Sequence, residues 1–462
     1  MVRIFRHYVS PIKLALAITD FVVITACVFL AEWLRFYVID FPFELGLQAV
    51  VAKVLVPVIM VPVLLGVGGY QSDAVRDLRV FTIRLVVSIV AVSVAVSALL
   101  YFLPMLPLWR SILVLALSLS FTFVMLVHAL FLKFSNTNFL NRQVIVLGAG
   151  KAGVELKEYA SKAKEAGLNI IDTIALPGQE VEIPGAKNIE DIGAFDEFAR
   201  NSDAELIIIA SSGKQELPVD ALISCKLSGI EVKDRLSFFE QVRGYVDLES
   251  VKAEWIIFSD GFKGGNYFER ALKRILDIAV SSLVLFLTIP LMIFAAIGVA
   301  LTSKGPVFYR QERVGLNGET FNLLKFRSMT VDAEKEGRPE WAKEADPRVT
   351  KIGGFLRRTR IDELPQLINV FRGDMSFVGP RPERPFFVNQ LEKEIPFYKE
   401  RHCLKPGITG WAQIQYPYGA SIEDSKRKLE YDLYYIKNYS IFLDLLIILQ
   451  TLRVVLFPVG VR

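Results

Sequence analysis

Two adjacent carboxylates, Asp362 and Glu363, lie in this sequence among many cations. The run Arg357-Arg-Thr-Arg-Ile-Asp-Glu-Leu-Pro-Gln366 places Arg357, Arg358 and Arg360 directly before them. Upstream are Gly305-Pro-Val-Phe-Tyr-Arg-Gln-Glu-Arg-Val-Gly315, Lys325-Phe-Arg-Ser-Met329 and Asp346-Pro-Arg-Val-Thr-Lys351, which contribute Lys325 and Arg327. Downstream are Asn369, Arg372-Gly-Asp-Met-Ser376 and Gly379-Pro-Arg-Pro-Glu383, with Pro380, Arg381 and Pro382. Pro365 predicts a helix start, where carboxylates cap free N–H groups and oppose the dipole, worth about 0.5–2 kcal/mol. That role needs no arginines. Arginine charge favours an ionised carboxylate and holds phosphate oxygens. A carboxylate so placed can attack phosphorus, and neighbouring carboxylates with phosphate oxygens suit Mg²⁺. The expected chemistry is attack on a phosphoryl group, with Asp362 and Glu363 as the catalytic and magnesium-binding pair.

The chain that positions these groups has 462 residues, 52% hydrophobic and 22% charged. That is more apolar than an ordinary soluble enzyme and excludes disordered, collagen-like and coiled-coil classes. Cys27, Cys225 and Cys403 are dispersed, as are His7, His128 and His402, so neither a disulfide framework nor a zinc ribbon is indicated. From Phe262 onward 30 Lys+Arg face 22 Asp+Glu, whereas the preceding part carries 23 against 27. A basic C-terminal part beside membrane signals fits anionic lipid head groups or an anionic substrate, not nucleic acid.

Four apolar runs, near Leu14–Leu34, Val50–Val67, Leu85–Leu103 and Ile112–Leu132, suit membrane helices, which need ~20 residues to span. Trp33, Tyr37, Tyr70, Tyr101 and Trp109 flank them, as interfacial rings do. Arg3, Arg6, Lys13, Arg76, Arg79, Arg84, Lys133 and Arg142 fall on one side; the other connections hold mainly Arg35, Lys53 and Arg110, with Asp40 and Glu44. This places the N-terminus and everything after the fourth run in the cytoplasm. No small-residue cleavage site follows the first run. Asp20 and His128, inside the apolar block, are expected to serve helix packing.

Arg142 to about Phe258 reads as a soluble α/β domain. Val144-Ile-Val-Leu is a buried-strand pattern, and Gly148-Ala-Gly-Lys-Ala-Gly153 then opens a helix. In this strand–glycine–helix context Gly148, Gly150 and Gly153 could cradle a pyrophosphate. The next strand, near Ile170–Leu176, lacks the acidic end that holds a ribose, since Asp172 stands at its start. A ligand-free Rossmann-like scaffold is the favoured reading. Further strands are expected at Glu205–Ala210 and from Ile230.

Ile275–Leu301 is apolar and long enough to span, yet Lys273 and Arg274 precede it and Lys304, Arg310 and Arg313 follow. Both ends read as cytoplasmic, and Pro290 breaks the run in its middle. A re-entrant hairpin bent at Pro290 satisfies both facts. Lys405-Pro-Gly-Ile-Thr-Gly-Trp411 is turn-rich, Ser425–Tyr435 helical, and Ile441–Val459, carrying Asp444, Gln450 and Arg453, suits an interfacial helix.

The motifs from Lys325, Asp362 and Gly379 make the part from Phe262 onward resemble the bacterial polyprenyl-phosphate hexose-1-phosphate transferases, the monotopic phosphoglycosyl transferases. The N-terminal part is similar to the long form of that family, an arrangement shared with membrane-bound nucleotide-sugar dehydratases. The resemblance implies a ping-pong reaction. The aspartate matching Asp362 attacks the β-phosphorus of a UDP-sugar, UMP leaves, and undecaprenyl phosphate takes the sugar phosphate from the aspartate. Glu363 matches the residue that works with it at Mg²⁺. Lys325, Arg327 and Arg357 match basic positions near the phosphates, beside which Arg358 adds charge, and Pro380, Arg381 and Pro382 match the loop that meets the nucleotide. Ile368 stands where the family often has an aromatic residue.

The implied architecture is a membrane bundle of four transmembrane helices (1–140), an α/β Rossmann-like, CoA-binding-like domain (141–260), and an α/β monotopic catalytic domain (261–462). The last carries a re-entrant membrane helix-hairpin at about 268–303 and a C-terminal interfacial helix. Membrane lipids are the surroundings, and the bundle could support a homodimer. Glucose or galactose is the expected sugar, an N-acetylated or deoxy sugar the first alternative. A membrane nucleotide sensor needs no Asp362, and a sugar dehydratase needs acid–base residues this chain lacks.

Overall fold

The computed structural model describes residues 2–456 apart from 5, 40–45, 136–141, 163–167, 212–214, 263, 331–347, 417–418 and 420. Asp40, Glu44, Asp346 and the stretch beyond Leu456 lie outside the described residues. The chain forms two compact units, one of residues 125–250 and one of residues 2–124 together with 251–462.

A small hairpin, β1 (Val2–Ile4) and β2 (His7–Val9), leads into α1 (Pro11–Ile39). Then come α2 (Leu47–Val67), a short α3 (Ser72–Arg76), α4 (Leu78–Phe102) and α5 (Arg110–Ser135). The four long helices are apolar enough to cross a membrane. Their outward faces carry Ile18, Val22, Val90, Val94 and Val114, the arrangement expected where the solvent is lipid. Two buried charged groups inside have partners. The Tyr70 hydroxyl donates to Asp20 at 2.9 Å, the packing role expected of that aspartate. Lys53 corrects the sequence-based reading of a loop charge. It lies within α2, is 1% exposed, and meets Glu32 of α1 at 2.5 Å beside the Phe29 ring. A lysine so placed is tolerated because its counter-ion is in contact.

The unit of residues 125–250 is a five-stranded parallel sheet flanked by helices. Its elements are β3 (Arg142–Leu147), α6 (Lys151–Lys162), β4 (Leu168–Ala175), β5 (Lys187–Asn188), α7 (Phe195–Asn201), β6 (Leu206–Ile209), α8 (Val219–Leu227), β7 (Glu231–Asp234) and α9 (Arg235–Arg243). Strand order is β5-β4-β3-β6-β7. Central β3 and β6 are apolar on both faces, as doubly covered parallel strands must be. Ile145, Leu147 and Ile207 pack toward α7 and α8, while Val146, Leu206 and Ile208 pack toward Leu156 of α6 and Phe238 and Phe239 of α9. Asp172, expected at the start of its strand, lies in the middle of β4, which begins earlier at Leu168, and pairs with Lys187 of β5 at 2.8 Å.

The C-terminal part begins with α10 (Ala253–Phe258) and α11 (Tyr267–Thr302), which starts on an Asn266/Glu269 capping box. The antiparallel pair β8 (Phe308–Val314) and β9 (Thr320–Phe326) follows, then α12 (Lys351–Arg358), α13 (Gln366–Arg372) and β10 (Ser376–Val378). The chain ends with α14 (Pro385–Glu394), β11 (Gly407–Thr409), α15 (Trp411–Gln415), α16 (Ile422–Lys437) and α17 (Ile441–Leu456). α11 is a fifth helix of membrane-crossing length, with Pro290 inside it. Both of its ends pack on the same fold. Near its start, Arg274 caps α13 through the carbonyls of Val370 and Phe371, and Asp277 accepts from Ser376 and Phe377. Near its end, Ala295 and Val299 join Phe326, Leu356 and Ile361 in one core. Between them Leu283, Phe286, Leu287, Ile293 and Phe294 are exposed.

The membrane block and this part share contacts. α17 crosses α2 at Gly66, where a Cβ would lie 2.7 Å from the Leu449 carbonyl oxygen. The C-terminal helix expected at the interface therefore has a packed side, on which Leu443, Asp444 and Ile447 are buried. His7 of β2 reaches the Tyr434 hydroxyl at 2.9 Å and meets the Trp411 ring edge-on.

Candidate active site

Asp362 and Glu363 occupy a single 3-10 turn, Ile361–Glu363, between α12 and α13. Arg360 enters the turn in the left-handed region, φ 59°, and Ile361 anchors it in the core. Asn369 of α13 then fixes the turn against β9. Its side-chain oxygen accepts from the Leu324 N–H at 3.0 Å and its amide donates to the Asn322 carbonyl at 2.8 Å. The β9 face opposite Phe326 thereby presents Lys325 to the acidic turn.

Glu363 is the acceptor at the centre. Its Oε1 takes Lys325 Nζ at 3.0 Å and Arg381 Nη2 at 2.7 Å, and Arg360 lies 3.9 Å from Oε2. Burial would raise its carboxyl, but Arg381, Lys325 and Arg360 outweigh this and hold it well below the usual range. Asp362 is 7% exposed, and among the described residues no group hydrogen-bonds its carboxylate. Burial raises it to about 6, Glu363 adding to the rise and Lys325, Arg357 and Arg381 opposing it. Burial lowers Lys325, against the pull of Glu363. The turn thus holds one carboxylate locked by cations and one with open oxygens inside the same positive field.

The structure brings Lys325, Arg381, Asp362 and Glu363 together, with Arg357 close enough to act on Asp362 by charge. Pro380 and Pro382 flank Arg381 in a segment whose backbone pairs with β11: the Gly379 N–H donates to Thr409 O and the Gly407 N–H to Pro380 O, both at 2.9 Å. Two arginines face elsewhere. Arg327 donates to the Ser303 carbonyl at 2.7 Å, at the end of α11, and exposed Arg358 turns back to Gly354. Gln413, absent from the sequence expectations, accepts Arg381 Nη1 at 3.2 Å. Its only sequence signal is its place after Trp411.

The glycine-rich turn of the other unit is engaged by its own chain. Gly148, at φ +128°, lies where a Cβ would meet the Ala210 carbonyl oxygen at 2.3 Å. The Ala149 N–H donates to Gln179 Oε1 at 2.9 Å, and Gln179 Nε2 stands 3.1 Å from where a Gly150 Cβ would be. Gly153 packs equally close to the Gly148 carbonyl. The three glycines therefore have structural reasons to be glycine, and the Ala149 N–H of the turn is already engaged by the Gln179 amide.

A carboxylate pair ringed by cations thus sits on a fold that grips both ends of a helix long and apolar enough to cross a membrane. The chain belongs to the bacterial sugar transferase family, whose model matches residues 268–458. It is similar to the UDP-glucose:undecaprenyl-phosphate glucose-1-phosphate transferase of Klebsiella pneumoniae, 35% identical over 71% of this chain and 70% of that one. The protein of the same name from Xanthomonas campestris is 34% identical over 67% of this chain and 66% of its own. The UDP-N-acetylgalactosamine-undecaprenyl-phosphate N-acetylgalactosaminephosphotransferase of Aeromonas hydrophila is 47% identical over 41% of this chain. The chain spans 45% of that relative's length.

Proposed function

We propose that the chain transfers a sugar-1-phosphate from a UDP-sugar to undecaprenyl phosphate at the cytoplasmic face of a bacterial inner membrane, as the first membrane step of exopolysaccharide, capsule or O-antigen synthesis. The observation that carries this reading is the open Asp362 carboxylate beside a Glu363 locked by Lys325 and Arg381. In the first half-reaction an Asp362 oxygen bonds the β-phosphorus, the bond from that phosphorus to the bridging oxygen breaks, and UMP leaves with the electron pair. In the second, an oxygen of the lipid phosphate bonds the same phosphorus and the Asp362 carboxylate departs. Lys325, Arg357 and Arg381 lower the cost of charge gathering at the phosphates, and Glu363 keeps Lys325 and Arg381 in place. Oxygen donors from one open and one partly open carboxylate fit a hard cation. Asp362 and Glu363 would hold Mg²⁺ with phosphate oxygens and water, and it would supply further charge neutralisation.

Glucose is supported by the names of the two relatives with the longer alignments, N-acetylgalactosamine by the one with the higher identity. α11 enters the membrane and returns on the same side with its bend at Pro290; both of its ends packing on one fold supports this. The bundle serves as the membrane anchor. The test is UMP release from a panel of UDP-sugars by protein in nanodiscs with Mg²⁺ and undecaprenyl phosphate. Release with one sugar, abolished by Asp362→Asn, is expected. Folded wild type that releases UMP from no donor would remove the reading.

A further inference from the structure

Arg381 is itself held by a second arginine. Its carbonyl accepts Arg401 Nη2 at 2.9 Å, and the same nitrogen reaches Asp432 Oδ2 at 2.8 Å. Arg401 Nη1 donates to the Tyr398 hydroxyl at 2.6 Å. Arg401 is 5% exposed and Asp432, on α16, 1%. Neighbouring carbonyls are claimed too. Val378 accepts Lys273 Nζ at 3.1 Å and Pro382 accepts Arg313 Nη1 at 2.9 Å. Pro380 and Pro382 have no N–H to offer, so the segment is secured largely through its oxygens. A buried guanidinium carries a desolvation cost that its counter-ion must offset. Here the two terminal nitrogens are taken up by the Arg381 carbonyl, Asp432 and a phenol, and not by the carboxylate pair.

We infer that Arg401, with Asp432 as its counter-ion, is a positioning residue that sets Arg381 against Glu363 without touching substrate. This rests on the transferase reading above and adds how the nucleotide-side loop keeps its register. Without the hold, Arg381 can drift from Glu363, and a displacement of about 1 Å can cost ~100-fold in rate.

The test uses the full chain in nanodiscs with the donor that supports turnover. Arg401→Lys keeps the charge beside Asp432 and loses the planar fork. UMP release is expected to fall about 10- to 100-fold. In an Arg381→Ala background Arg401→Lys should cost little more, about twofold or less, the non-additivity of groups acting as a unit. Multiplying losses would mean that Arg401 acts on its own and would overturn the inference. Hydrogen–deuterium exchange over residues 377–383, measured without donor, should quicken in Arg401→Lys; unchanged exchange would also overturn it. Quicker exchange in a protein whose wild type releases no UMP would sink the transferase reading alone. If Arg401→Lys loses its melting transition, the isosteric Asp432→Asn carries the same comparisons.

Discussion

Asp362 and Glu363 are sequence neighbours with opposite surroundings, and pH should separate them. Asp362 is raised from 3.8 to about 6 by burial, so the reactive anion forms as pH rises through about 6. Without Mg²⁺ the Asp362 carboxyl should titrate near 6 in an infrared or NMR titration, and Mg²⁺ should move it down; titration at the ordinary 3.8 in the metal-free protein would exclude the burial effect. The stability effects have opposite signs. The folded state holds the Asp362 proton more tightly than the unfolded chain does, so that contribution is complete below 3.8 and lost as pH passes about 6. Glu363, held low, stabilises above its ordinary 4.5 and loses that only as pH falls through its depressed value. Asp362→Asn should therefore be inactive yet more stable at pH 7.5, by on the order of 2 kcal/mol in thermal melting, whereas Glu363→Gln should melt earlier. The acidic pair, Lys325 and Arg381 were legible because they stand in dense motifs. Arg401 and Asp432 were not, because a buried ion pair between residues far apart leaves no local pattern. Arg327 stands two residues from Lys325, but it leaves the strand end toward Ser303.

Among the elements, α17 and α2 meet where only glycine fits. Gly66→Leu should force them apart and cost about 1–3 kcal/mol, read as a lower melting temperature and faster proteolysis near the C-terminus in detergent. Unchanged melting would mean that the crossing bears no load. In the sheet unit, Gln179 occupies the glycine turn. A dinucleotide bound with [L] at 100 times Kd would add about 2.7 kcal/mol, so millimolar NAD should leave the melting temperature unmoved. A rise of several degrees would show that Gln179 yields to ligand. Strand, glycines and helix were visible from periodicity and spacing. Gln179 was not, because one glutamine after a Pro-Gly turn carries no signal until the fold brings it across. The membrane helices were legible from apolar runs alone, while the Lys53–Glu32 pair needed the register of two helices to be known.

At the scale of the molecule, the question is whether α11 crosses the bilayer or turns back. In a Cys403→Ser background, Tyr267→Cys and Lys304→Cys should both react with an impermeant maleimide in inside-out vesicles, and neither should in intact spheroplasts. Labelling from opposite sides would make α11 a span. The order of biosynthesis adds a consequence. His7 leaves the ribosome 427 positions ahead of its partner Tyr434. At ~10 residues per second the hairpin waits ~40 s for the surface it completes. The membrane helices can insert early, but the docking of β2 and the closing of α17 over α2 must wait for α16 and α17. A ribosome that stalls before α16 would leave an anchored chain with its reactive centre unfinished, exposing apolar surface to the quality-control proteases of the membrane.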